Sequence, residues 1–168
     1  MTDAVEILIQ AEHLPAYAHP GDAGADLRST EALVLGPGER ATIGTGVSLA
    51  LPAGTVAFVV PRSGLAAKRG ITVVNSPGTV DAGYRGEIRV TLLNTDRSEP
   101  FEIQPGDRIA QIIFQRFVQA RFVPAETLPG SDRGTGGFGS TGVRDAATTD
   151  APAGAPAHTD RATEENQA

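Results

Sequence analysis

The chain has 168 residues, 40% of them hydrophobic, with 20 Gly, 12 Pro, no Cys and a formal net charge of −6. That length holds one domain with a real core, and the absence of cysteine excludes disulfides, thiolate zinc sites and a cysteine nucleophile. The acidic balance argues against the broad basic face that grips polymeric nucleic acid. No apolar stretch approaches the ~20 residues that span a bilayer, so the expectation is a cytoplasmic protein with neither a membrane nor a nucleic-acid partner.

Glycine and proline punctuate short apolar runs, which predicts many strands joined by tight turns and a mainly β fold. VEILI (5–9) reads as a first strand, and HPGDAGADLRS (19–29) as a loop rich in Gly and Asp. The turn signals GPGER and LPAG bracket the strand-like ATIGTGVSLAL, because Gly and Pro supply the backbone angles that turns require. TVAFVV (55–60) is the strongest strand signal, β-branched and aromatic, and it delivers Arg62 and Ser63 at a strand end. GLAAKRG (64–70) predicts one short helix stopped by Gly70.

ITVVNSPGTVDAGYRGEIRVTLLN (71–94) predicts strand, turn, hairpin and strand, with Ile88, Val90 and Leu92 alternating against Arg89 and Thr91. RIAQIIFQRF (108–117) predicts another strand, in which strict alternation puts Gln111 on one face with Ile109 and Ile113. Beyond Gly142 the chain contains a single Val and no Ile, Leu, Met, Phe or Tyr. Such a tail buries too little apolar surface to offset the entropy of ordering, so 144–168 is expected to be disordered.

Several motifs carry chemistry, and each has a plainer alternative. GTGGFG (134–139) matches G-x-G-x-x-G, but no clear strand leads into it and no helix follows, so the dinucleotide reading fails on context. It is either a linker, which leaves Arg133 and Phe138 unexplained, or a functional loop. PRSGLA puts Arg62 beside the N–H groups of Ser63, Gly64 and Leu65 at a helix start, an arrangement suited to anions. Its alternative is Ser63 as an ordinary N-cap with Arg62 solvated.

GTVDAGYRGE (78–87) reads as a hairpin in which Gly83 supplies a positive φ. Asp81 is then either a turn former or a carboxylate over a reacting centre, and Tyr84 either a packing partner or a ring against a ligand. Gln111 needs a partner, since an unpaired buried amide costs ~1–3 kcal/mol. Asp26 reads by default as a loop acid. His13 and His19 lie in early loop-like sequence and His158 in the tail, which gives little support to a catalytic triad or a histidine metal cluster.

Five stretches in order, AGADLRS (23–29), PRSGLA (61–66), NSPGTVDAGYRGEI (75–88), RIAQIIF (108–114) and RGTGGFGSTG (133–142), closely resemble the five motifs of the trimeric deoxyuridine triphosphatase family. The resemblance covers nearly everything except the tail. It implies a jelly-roll-like distorted β-barrel with one short helix over 1–132, assembling as a homotrimer whose active sites are shared between chains. It also implies a Gly-rich arm, 133–143, that closes on a neighbouring subunit's site. There Arg133 would reach the terminal phosphate, Phe138 would stack on uracil, and Gly139 and Ser140 would contact the nucleotide.

The implied activity is hydrolysis of dUTP to dUMP and pyrophosphate, which keeps uracil out of DNA and supplies a thymidylate precursor. Asp81 would orient and deprotonate the water that attacks the α-phosphorus, and Tyr84 would pack under the deoxyribose where a 2'-hydroxyl has no room. A carboxyl with a pKa near ~3.9 is a weak base, so placement and charge neutralisation carry most of the acceleration. Arg62, Ser63, Gly64 and Gln111 would line the phosphates, and Asp26 would hold Mg2+ through water. Thr79, Val80 and the main chain near Arg89, with Asn75 assisting, would read uracil. Two other readings remain open on the sequence: a dCTP deaminase of similar architecture, and a nucleotide-binding regulatory module that uses the tail to recruit a partner.

Overall fold

The structure is a computed structural model that describes residues 4–132, 134 and 135. The chain divides into one unit, Met1–Phe122, and a second, Val123–Ala168. Among the described residues the first unit carries every strand and the helix. These are β1 (Leu8–Gln10), β2 (Gly24–Arg28), β3 (Leu33–Leu35), β4 (Arg40–Gly44), β5 (Ser48–Ala50), β6 (Thr55–Val60), α1 (Ser63–Arg69), β7 (Ile71–Val73), β8 (Gly78–Val80), β9 (Arg89–Asn94), β10 (Phe101–Ile103) and β11 (Arg108–Arg116).

All the pairings between these strands are antiparallel. A four-stranded sheet runs β2-β11-β6-β8 and a three-stranded sheet runs β4-β9-β7, while β1-β5 and β10-β3 form two-stranded ribbons. One core joins all four: Leu27, Val59 and Ile112 from the first sheet, Ile43, Val90 and Leu92 from the second, and Leu49, Leu35 and Ile103 from the ribbons. Short strands with one buried face each must share a core in this way, because none can bury its apolar side alone. The mainly β class with a single short helix follows.

TVAFVV forms β6 with the expected bounds, and β9 alternates as expected, Val90 and Leu92 inside and Arg89 outside. The helix ends at Gly70, whose φ of 64° is left-handed and whose N–H bonds back to the carbonyls of Leu65 and Ala66, the usual glycine C-cap. Other expectations need correction. The supposed loop HPGDAGADLRS contains β2, because Ala25 and Leu27 bury into the core and β11 supplies a ladder. ATIGTGVSLAL is not one strand: it breaks at Gly46, whose φ of 66° is left-handed, and separates β4 from β5. The first strand begins at Leu8 rather than Val5.

The predicted hairpin over 78–87 is not a paired ladder. β8 pairs with β6, whereas β9 pairs with β4 and β7. Strict alternation also fails at the start of β11. A β-bulge between Arg108 and Ala110 inserts an extra residue opposite β2, so Ile109 and Ala110 are both buried and Ile109 does not keep step with Gln111.

Asn94 closes the end of β9 and is fully buried. Its amide donates to the carbonyls of Leu35 at 3.0 Å and Glu99 at 2.9 Å, and its side-chain oxygen accepts the Asp96 N–H at 2.9 Å. Replacing it by Ala strands two carbonyls and an N–H, so Asn94→Ala is expected to lose about 1–3 kcal/mol in urea unfolding with an unchanged m-value. A loss under about 0.5 kcal/mol, the level of an ordinary surface change, contradicts this role.

Candidate active site

β8 is an edge strand: among the described residues only β6 pairs with it. One side of its backbone is therefore left without a ladder, with N–H and C=O groups available to something else. β9 lies at the centre of the other sheet. Between the two opens a cavity of about 200 Å³, lined by Val59, Val73, Asn75, Gly78, Thr79, Val80, Asp81, Tyr84, Glu87, Ile88, Arg89 and Val90. Its buried wall is apolar, from Val59, Val73, Val80, Ile88 and Val90, while Asn75, Thr79, Asp81 and Tyr84 are exposed at its rim. A slot with a buried apolar wall and convergent polar groups at its rim is a usual form of a small-molecule site.

Six of the residues singled out in the sequence, Asn75, Thr79, Val80, Asp81, Tyr84 and Arg89, thus meet at one cavity. Asp81 leaves the end of β8, and its carbonyl accepts the Tyr84 N–H at 3.0 Å, closing a four-residue turn. Gly83 is not in the left-handed region; such a turn can close with negative φ at both central residues. The Tyr84 hydroxyl donates to the Glu87 carbonyl at 2.9 Å. Arg89 directs its guanidinium to Glu31 Oε1 at 3.2 Å, to the Thr42 carbonyl at 3.2 Å and to Glu87 Oε2 at 3.4 Å. These contacts hold the Arg89 side chain against Glu31, Thr42 and Glu87.

A second cluster sits on the same four-stranded sheet. Asp26 is not a loop acid but the centre of β2, only 5% exposed. The register pairs it with Gln111, which in turn pairs with Val60 at the end of β6, so Asp26 and Gln111 project from one face. Arg62 Nε donates to Asp26 Oδ1 at 3.0 Å, Arg108 Nη1 to Oδ2 at 3.3 Å, and Gln111 Nε2 to Oδ1 at 3.4 Å. Two guanidiniums against one carboxylate leave the cluster with one net positive charge, which attracts anions.

The helix start differs from both sequence readings. Arg62 occupies the N-cap position without a side-chain cap bond, and Ser63 is the first helical residue. The Arg62 carbonyl accepts the N–H groups of Leu65 at 3.1 Å and Ala66 at 3.0 Å, so Leu65 is committed and is not a free anion donor. Arg62, Ser63, Gly64, Gln111 and Asp26 do not line the β8–β9 cavity. Arg133, Phe138, Gly139 and Ser140 lie outside the described residues.

Sequence reasoning passed over Arg108, Gly86 and Glu87. Arg108 precedes a bulge, which no pattern in RIAQIIF announces. Gly86 had a readable signal, an unexplained glycine two residues after an aromatic. A Cβ there would lie 2.5 Å from the Tyr84 hydroxyl and 2.7 Å from Cζ, closer than real Cβ contacts allow.

The sequence profile of the dUTPase family matches residues 10–142. A deoxyuridine 5'-triphosphate nucleotidohydrolase of Leifsonia xyli subsp. xyli is 68% identical over 142 residues, covering 84% of this chain and 93% of that protein. One from Bifidobacterium longum subsp. infantis is 62% identical over 146 residues, covering 84% and 92%. Among solved structures, the Staphylococcus bacteriophage 80alpha dUTPase with dUpNHpp superposes with a TM-score of 0.77 at 27% identity, over 83% of this chain and all of that one.

The Asp26 cluster makes a quantitative demand on stability. Either guanidinium alone still compensates the buried carboxylate, so Arg62→Leu and Arg108→Leu should each cost less than their combination implies. The double variant is expected to lose about 0.5–3 kcal/mol more than the sum of the singles in chemical denaturation. Strict additivity contradicts a shared partner.

Proposed function

The chain belongs to the dUTPase family, and from that premise we propose how its residues divide the work of hydrolysing dUTP. The enzyme converts dUTP and water to dUMP and pyrophosphate. The observation that carries this reading is the unpaired edge of β8 beside a cavity with an apolar inner wall and Asp81 at its rim.

The edge of β8, at Thr79 and Val80, and the main chain of Arg89 read uracil's donor and acceptors, with Asn75 assisting. A buried backbone pattern matched to uracil leaves cytosine's amino group facing a donor, and unmatched buried groups give strong rejection. Tyr84 stands under the deoxyribose. Asp81 accepts a hydrogen bond from the water that attacks the α-phosphorus and takes its proton as the bond to pyrophosphate breaks. Holding water and phosphorus in line contributes more than basicity.

Arg62, Ser63, Gly64 and Gln111 hold the phosphate chain, supported by the positive charge of the Asp26 cluster. Mg2+ suits this donor set through water rather than by direct ligation. Asp26 already accepts bonds from Arg62, Arg108 and Gln111, and no group of three or more His, Cys, Asp or Glu among the described residues is placed to cage a metal. A hard cation that keeps several waters can be held mainly by the triphosphate, and when bound it neutralises charge developing on the phosphates.

The site is completed by neighbouring chains in a homotrimer. One observation supports this: Asp26, Arg62 and Gln111 do not line the cavity that Asp81 and Tyr84 border in one chain. The arm 133–143, with Arg133, Phe138, Gly139 and Ser140, closes over the nucleotide of another subunit. The working compartment is the cytoplasm.

Incubation with dUTP, dCTP, dTTP and UTP in turn, with magnesium, and chromatography of the products tests the whole reading. Release of dUMP and pyrophosphate from dUTP alone is expected; ammonia from dCTP contradicts it. Asp81→Asn is expected to lower kcat at least about 100-fold while dUpNHpp still binds in calorimetry. Loss of that binding makes Asp81 a structural turn residue instead.

A further inference from the structure

Glu87 follows Tyr84 by three residues, and its two ends act on different partners. Its carbonyl accepts the Tyr84 hydroxyl at 2.9 Å. Its carboxylate accepts the Gly46 N–H at 2.8 Å and meets Arg89 Nη1 at 3.4 Å. Room for that carboxylate comes from Gly44, where a Cβ would stand 2.7 Å from Glu87 Oε1. Gly86 makes room for the ring, since a Cβ there would collide with the Tyr84 hydroxyl and Cζ.

The ring therefore leans on the turn 84–87, and the turn is fastened to the 44–47 loop through a side chain. A surface acid that merely neutralises Arg89 explains the 3.4 Å contact. It does not explain the shorter bond to a backbone amide or the glycine that clears space for it. The loop has further bonds to the next residue, Ile88 N–H to the Val47 carbonyl at 2.7 Å and Thr45 Oγ1 to the Ile88 carbonyl at 2.5 Å. Removing the Glu87 carboxylate thus loosens the turn without unfastening β9.

We infer that Glu87 is a positioning residue for sugar specificity: anchored on the Gly46 amide, it fixes the Tyr84 ring and so sets how strongly the site rejects a ribonucleotide. The inference rests on Tyr84 acting as the sugar gate proposed above. A ring free to swing aside yields its place to a 2'-hydroxyl, because rejection by shape needs a wall locked by its supporting contacts.

The chain has two tyrosines and no tryptophan, so in a Tyr17→Phe background Tyr84 is the sole source of near-ultraviolet signal from tyrosine. Glu87→Ala is expected to weaken the Tyr84 circular dichroism and raise its fluorescence depolarisation without nucleotide. It should also lower the ratio of kcat/KM for dUTP over UTP by about tenfold. Glu87→Gln, which keeps an acceptor oxygen for Gly46, should restore both. If Glu87→Ala does not fold, Glu87→Asp, whose shorter side chain draws the carboxylate back from the Gly46 amide while keeping its charge, carries the same expectation.

Undiminished ring order in Glu87→Ala overturns the anchor, as does failure of Glu87→Gln to restore it. A loosened ring with an unchanged ratio overturns the specificity role together with the sugar-gate reading of Tyr84. Wild-type protein that leaves dUTP intact fails the proposed activity itself, and the ring-order measurement still judges the anchor.

Discussion

Two strands consecutive in sequence, β8 and β9, belong to different sheets, and the site depends on that separation. Had they paired as a hairpin, the edge of β8 would be satisfied by its neighbour and no main-chain group there would be left for a ligand. Instead residues 81–88 cross between the sheets. The crossing opens an apolar slot between Val80 and Val90, sets Asp81 at the exit of β8, and gives Tyr84 and Glu87 a turn of their own. Specificity carried by an edge strand's main chain needs no conspicuous side chain, only a strand whose ladder stops on one side.

The second constraint is a buried charge. A carboxylate in the middle of a strand at 5% exposure must be compensated, and removing its partners is costly. Asp26, on β2, draws in Arg62 from the start of α1 and both Arg108 and Gln111 from β11, so the cluster is assembled before any ligand arrives. Preorganised charge on regular elements is more effective toward a polyanion than side chains on free loops, because little reorganisation remains when the ligand binds.

β6, through its β-branched and aromatic run, and β9, through its strict alternation, were legible in the sequence, as was the helix stop at Gly70. β2 was not, since AGADLRS has the composition of a loop and its strand character comes from the tertiary ladder with β11. The bulge at Ile109 was equally hidden: one inserted residue reverses the facing of everything before it, and no local preference marks it. The apparent hairpin misled for a related reason. GTVDAGYRGE has turn chemistry in its middle, but which strands its ends join is decided by the sheets that surround them. Among site residues, Asn75, Thr79, Val80, Asp81, Tyr84 and Arg89 met at the cavity and Arg62 and Gln111 at Asp26, whereas Glu87 and Arg108 act through partners distant in sequence, Gly46 and Asp26, which no motif connects.

The central claim is that the free edge of β8 reads the base, and amide hydrogen exchange at residues 78–80, followed by NMR, tests it most directly. In the free protein the amides on the unpaired side should exchange quickly, and saturating dUpNHpp should slow them, while the corresponding cytosine analogue should not. Exchange unchanged by dUpNHpp at saturation, or slowed equally by both analogues, would contradict the account.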